Sequence, residues 1–161
     1  MIYTVARDLP GTLSTMPAPA GGADLDASVA ELARDGVDVL VSLLPPEQAT
    51  GLGLAEEEAA ALRAGLAFRA FPIADFGVPE REPAQAFLEL VAGDLDQGKH
   101  VAVHCWGGVG RSSLVAAALL VARGTDPEEA WARIAAARGV RVPETDEQRA
   151  WVGTLVPRDG V

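Results

Sequence analysis

The sequence predicts an α/β domain in which a central, mostly parallel sheet is flanked by helices. Three observations predict it. Short β-branched runs alternate with longer Ala-, Glu- and Leu-rich segments. A glycine-rich stretch at 105–110 lies between an apolar strand and an apolar helix, where ligands bind in such sheets. The length, 161 residues, fits one compact domain spanning 1–161.

Residues 1–22 hold short apolar pieces broken by Pro10, Gly11, Pro17, Pro19, Gly21 and Gly22, and read as an edge strand or two plus loop. Asp24 caps a helix that reaches about Arg34, with Gly36 just beyond. Val37, Val39 and Val41 mark a buried strand that Pro45-Pro46 stops. Residues 54–64 read as helix, ending at Gly65, and 66–71 as a strand closed by Pro72. A loop follows at 73–79. Pro83 suits the first turn of the next helix, which reaches about Gln97. Residues 100–104 form a short apolar strand, and 112–123 a helix so apolar that it is buried on most sides. Asp126 caps another helix with Pro127 at its first position, running to about Arg138. A last helix covers about 145–156, with Thr145 and Gln148 in capping-box spacing.

Composition excludes several function classes. The single cysteine permits neither an intramolecular disulfide nor a multi-cysteine metal site. Two histidines, His100 and His104, are too few for a zinc cage, so no metal or cofactor is expected. A net charge of −10 argues against broad attraction to nucleic acid or to an anionic membrane. No signal peptide is visible at the N-terminus, and the longest apolar run, 114–122, is too short to span a bilayer. A lone free thiol suits the reducing cytoplasm, which is the expected location.

The chemistry is concentrated in His104-Cys105-Trp106-Gly107-Gly108-Val109-Gly110-Arg111-Ser112. A thiol becomes a strong nucleophile as thiolate, and its pKa of about 8.5 falls at a helix N-terminus or beside a cation. Cys105 has both features nearby. Glycines let the loop turn its N–H groups into a nest for phosphoryl oxygens, and the following helix adds its positive end. Arg111 offers a planar fork for two oxygens at once. Together these supply the local positive site that the acidic chain lacks overall.

This string, a His-Cys followed after five residues by Arg-Ser, resembles the active-site motif of the protein-tyrosine phosphatase superfamily. Phe71-Pro72-Ile73-Ala74-Asp75-Phe76-Gly77-Val78-Pro79 resembles the general-acid loop of its small dual-specificity-type members, with Asp75 placed 30 residues before Cys105. Glu144-Thr145-Asp146-Glu147-Gln148 resembles their C-terminal Glu-Thr-x-x-Gln segment. The likeness covers roughly 37–150, and the first third matches only in general layout.

The resemblance implies a three-layer phosphatase domain that needs no metal. Cys105 is the expected nucleophile, Asp75 the acid, and Ser112 the hydroxyl that eases release of the thiolate. Residues 106–111 (Trp106, Gly107, Gly108, Val109, Gly110 and Arg111) are the expected phosphate cradle, with His104 and Gln148 in support. Asp94 and Asp96, in or at the end of a helix leading away, are poorer acids. Trp106 either walls the pocket or packs. No aromatic pocket-deepening loop is present, which implies a shallow pocket open to phosphotyrosine, phosphoserine and phosphothreonine in proteins. The loop also lacks the lysines that lipid-phosphate members often carry, which disfavours phosphoinositides. A phosphatase of a small soluble phosphate ester, a phosphate-dependent binding module and a rhodanese-like sulfurtransferase stay open as alternatives. Asp75-Phe76-Gly77 matches a kinase triplet, but no kinase glycine loop or His-Arg-Asp loop accompanies it. Arg138, Arg141 and Arg149 either line the approach to the site or are solvated helix-face charges, and the second reading is favoured.

Overall fold

A computed structural model describes residues 1–155. Five strands form one sheet in the order β1-β2-β5-β3-β4: β1 (Tyr3–Ala6), β2 (Thr12–Met16), β3 (Val39–Ser42), β4 (Ala67–Ala70) and β5 (His100–His104). All neighbours are parallel except β1, which pairs antiparallel with β2. The mostly parallel α/β prediction therefore holds. One detail differs. Only β1 is an edge strand in the N-terminal region, because β2 lies inside the sheet, with Leu13 to Thr15 fully buried.

Among the described residues, seven α-helices cover the two faces: α1 (Leu25–Arg34), α2 (Pro46–Gly51), α3 (Glu57–Arg63), α4 (Arg81–Asp96), α5 (Arg111–Ala122), α6 (Pro127–Arg138) and α7 (Asp146–Gly153). Alternation along the strands divides the core between the faces. Leu40 and Ala102 pack with Leu25, Val29 and Leu32 of α1 and Ala60 and Ala61 of α3. Val39, Val41, Val101 and Val103 point the other way, onto α4, α5 and α6. Every residue of α5 from Arg111 to Val121 is buried, which is why its sequence shows so little polar face.

The caps read from sequence are formed at two helices. Asp126 accepts from the N–H groups of Glu128 and Glu129, and Thr145 and Gln148 make the reciprocal box. Asp24 sits at the N-cap of α1, but its side chain makes no capping hydrogen bond. Pro46 does more than end β3, since it opens α2, where a proline's missing N–H costs nothing. Val156, the last residue of the expected C-terminal helix, lies outside the described residues. Among the described residues, no helix is long and apolar enough to cross a membrane.

Parallel strands send their carboxyl ends to one edge. There β3 leads to α2, β4 to the loop at 71–80, and β5 to the loop at 105–110. Three segments far apart in sequence thus meet at one rim.

Candidate active site

Cys105 leaves the end of β5 and is buried, at 2% exposure, at the floor of a cavity of about 280 Å³. Asp75, Phe76, Trp106, Gly107, Arg111 and Glu144 complete the lining. The loop climbs from Cys105 and enters α5 at Arg111, with Gly110 as N-cap. Its close fit explains Gly108. Gly108 has φ +72, and a Cβ there would lie 2.8 Å from the backbone of Met16 and Pro17. The Trp106 carbonyl accepts from Ala18 N–H at 2.9 Å, tying the loop to the end of β2.

Arg111 is buried, and its fork is divided. Nη1 donates to Gln48 Oε1 at 2.8 Å and to the Ile73 carbonyl at 2.9 Å. Nη2 lies 3.1 Å from Asp75 Oδ1. Nε is buried with no hydrogen-bond partner in the protein. Nε is thus the guanidinium nitrogen of Arg111 left without a protein partner, beside an Nη2 that Asp75 already holds. Ser112, one residue on, has its Oγ 3.4 Å from Cys105 Sγ, within range of a sulfur hydrogen bond.

A model of the family described as "Polymorphic toxin system, DSP-PTPase phosphatase" matches residues 15–125, more than half of the chain. The chain belongs to that family. Its solved relatives agree on the fold. The kinase associated phosphatase, in a form with its catalytic-site cysteine replaced by serine, superposes with a TM-score of 0.85 at 22% identity, covering 94% of this chain and 91% of that one. Tk-PTP in its active form gives 0.72 at 29% identity, covering 93% and 92%. PTPMT1 gives 0.76 at 19% identity, covering 94% and 91%, and has also been solved in complex with PI(5)P. No curated protein matches the sequence. The protein is thus a phosphatase of the cysteine-dependent dual-specificity type, acting on phosphorylated substrates.

In this phosphatase the residues singled out from the sequence converge, with Gln148 set back from the rest. Cys105, Arg111, Ser112 and Asp75 surround the cavity or its floor. Trp106 walls the pocket, with 53% of its surface exposed at the rim beside Phe76 at 57%. His104 is fully buried beneath the loop, and its Nδ1 lies 2.9 Å from the Cys105 carbonyl. Gln148 is buried, and its amide is spent on backbone. Oε1 accepts from Glu144 and Thr145 N–H, and Nε2 donates to the Gly77 carbonyl at 3.3 Å. Its visible work is to fasten the loop at 71–80 to α7. Asp94 is buried against Arg69 in a two-point ion pair, and Asp96 pairs with Arg123, so both carboxylates are engaged away from the cavity.

Glu144, Gln48 and Glu57 were not singled out from sequence. Glu144 enters the cavity, and its Oε1 rests where a Cβ on Gly110 would be. Burial raises its pKa, the Asp75 charge raises it further, and Arg111 opposes both. Gln48 orients Arg111 from α2, and Glu57 meets His104 from α3. Arg138 is no solvated charge. Nε donates to the Gly108 carbonyl at 3.1 Å and Nη2 to the Gly107 carbonyl at 3.0 Å, while the guanidinium stacks 4.3 Å above the Tyr3 ring. Arg141 and Arg149 line an adjoining cleft that shares Phe76 and Glu144 with the cavity. The Glu-Thr-x-x-Gln segment was the one sequence signal that bore on Glu144. Gln48 and Glu57 left none.

Proposed function

We propose that this phosphatase hydrolyses phosphate monoesters in two steps through a cysteinyl-phosphate. The observation that carries the reading is the meeting of Cys105, Asp75 and Arg111 around one cavity, with Arg111 Nε left unpartnered. The Cys105 thiolate attacks phosphorus as the bond to the leaving oxygen breaks, and Asp75 gives its proton to that oxygen. Arg111 and the loop N–H groups hold the equatorial oxygens and stabilise the charge that develops there. Asp75, now a carboxylate, takes a proton from the water that attacks the cysteinyl-phosphate. The Cys105 thiol donates to Ser112 Oγ at rest, and when the sulfur departs as thiolate the Ser112 hydroxyl donates to it instead. A buried, unpaired N–H such as Arg111 Nε is costly, and a phosphoryl oxygen would repay it. None of these residues calls for a metal.

The substrate we favour is phosphotyrosine on a protein, with phosphoserine and phosphothreonine admitted by the open mouth. The exposed rings of Trp106 and Phe76 flank that mouth, where they suit an aryl leaving group. We place the protein in the cytoplasm, where its free thiol stays reduced, as one domain over 1–161.

The test is hydrolysis of para-nitrophenyl phosphate in EDTA by wild type and Cys105→Ser. Activity that vanishes in the variant supports the reading, and equal activity in both ends it. A panel of phosphopeptides and small phosphate esters then separates a protein phosphatase from a small-molecule one.

A further inference from the structure

Beneath the catalytic loop, on the side away from the cavity, a carboxylate meets an imidazole with almost no access to water. Glu57 opens α3 and is 3% exposed, and His104 ends β5 and is 0% exposed. Glu57 Oε2 and His104 Nε2 are 2.5 Å apart, and the other ring nitrogen, Nδ1, is 2.9 Å from the Cys105 carbonyl oxygen. This geometry decides how many protons the pair holds. A carbonyl oxygen only accepts, so Nδ1 carries a hydrogen and donates it. Two lone pairs at 2.5 Å would repel, so a second hydrogen lies between Nε2 and Oε2. The pair is therefore neutral as a whole, written either as imidazolium with carboxylate or as imidazole with carboxylic acid. Burial favours that neutrality, because a lone charge there would be unpaired and desolvated.

The consequence reaches the nucleophile. His104 is bonded to the peptide of the residue that bears the thiol. As negative charge develops on Cys105 Sγ, the shared proton can move toward Nε2. That shift puts positive charge on the ring that is bonded to the Cys105 peptide and leaves the negative charge on Glu57 of α3. Met16 and Ser42 flank His104 in the sheet, and neither titrates. The His104 ring bonds to Glu57 Oε2 on α3 and to the Cys105 backbone carbonyl.

We propose that Glu57 is a positioning residue of the phosphatase, which holds His104 in the arrangement that favours the Cys105 thiolate. The proposal rests on the reading of Cys105 as nucleophile. It extends that reading to a residue that lies 48 positions earlier and does not line the cavity.

Glu57→Gln isolates the effect. A glutamine amide N–H can donate to Nε2, leaving Nδ1–H on the Cys105 carbonyl. Both hydrogen bonds survive and the mobile proton is lost. The experiment measures the rate of Cys105 alkylation by iodoacetamide against pH, with the modified residue identified by mass spectrometry and thermal melts run alongside. The expected result is an inflection displaced upward by about one pH unit, so that alkylation below it slows about tenfold. The melt should stay near that of wild type, and Glu57→Asp should recover much of the rate. His104→Asn, which keeps an N–H donor near the place of Nδ1 and removes the proton relay, should show the same displacement even if Glu57→Gln folds poorly. Profiles of the folded variants that overlay wild type would overturn the proposal and leave Glu57 a packing residue. Alkylation is read without turnover, so failure here is separate from failure of the nucleophile reading, which Cys105→Ser tests.

Discussion

Asp75 Oδ1 lies 3.1 Å from Arg111 Nη2, so the expected acid and the expected phosphate anchor are joined before any substrate arrives. Nη1 is committed to Gln48 and Ile73. A phosphoryl group that takes the Nε–Nη2 edge must therefore compete with Asp75 for Nη2. Asp75→Ala should show two opposite effects. Turnover of para-nitrophenyl phosphate should fall by roughly 10²–10⁴-fold through loss of the acid. Inorganic phosphate and vanadate should inhibit several-fold more tightly, because the rival carboxylate is gone. An unchanged inhibition constant would remove the competition, and an unchanged kcat would remove the acid role.

Glu144 adds a second carboxylate to the same cavity, with its pKa raised by burial and by Asp75 and held back by Arg111. A raised carboxyl favours the fold in its protonated form. Its contribution is fully present below the ordinary glutamate pKa and is lost as pH rises through the folded value. At neutral pH the ionised group works against both the fold and a bound dianion. Glu144→Gln should therefore melt slightly higher than wild type at pH 7, with the difference closing as pH falls toward 4. Removing one charge near the phosphate site is worth about 1 kcal/mol through partly screened solvent, or about fivefold tighter phosphate inhibition. Thermal melts across pH and inhibition constants check both, and weaker inhibition in the variant would show that Glu144 helps to hold the anion.

The parts of this site legible in the sequence are those written contiguously. The loop at 105–110 declares itself by three glycines in six residues, of which close backbone packing demands Gly108, between a strand and a helix that are largely apolar. Asp75 stands out because its Pro-bounded loop, 71–79, resembles the general-acid loop of the dual-specificity-type phosphatases. Gln48 and Glu57 were illegible for a physical reason. They lie on helices of six and seven residues, too short for periodicity to reveal a face, and their partners are 63 and 47 residues away. Pro45-Pro46 read only as a strand stop, although Pro46 was also the first residue of α2. Arg138 looked solvated because the last turn of a helix commonly carries a cation. Only the chain's return across the loop shows that its donors meet two carbonyls.

The loop glycines should respond unequally to an added methyl group. Gly108 has φ +72, with Met16 and Pro17 backbone in the way, so Gly108→Ala is strained twice. It should lower stability by about 1–3 kcal/mol and abolish activity. Gly107 has open space where its Cβ would be, so Gly107→Ala should melt near wild type. Denaturation of both variants in parallel checks the contrast, and equal losses would mean that the loop repacks freely.

Arg138 should govern how well the loop is preorganised for phosphate. Its two N–H groups hold the Gly107 and Gly108 carbonyls on the outer side of the loop. A peptide whose carbonyl points outward turns its N–H toward the cavity, where a phosphoryl oxygen can use it. Arg138→Ala releases both carbonyls. The hydrogen bonds are charge-assisted but partly exposed, so a loss on the order of tenfold in kcat/KM is expected, with weaker phosphate inhibition. Arg138→Lys should recover little, because an ammonium group cannot reproduce the planar two-point contact. Tyr3→Ala removes only the stacked ring and should cost less. If Arg138→Ala matched wild type in both kcat/KM and phosphate inhibition, the loop would hold its shape without the brace, and its glycines and the tie from Ala18 to Trp106 would suffice.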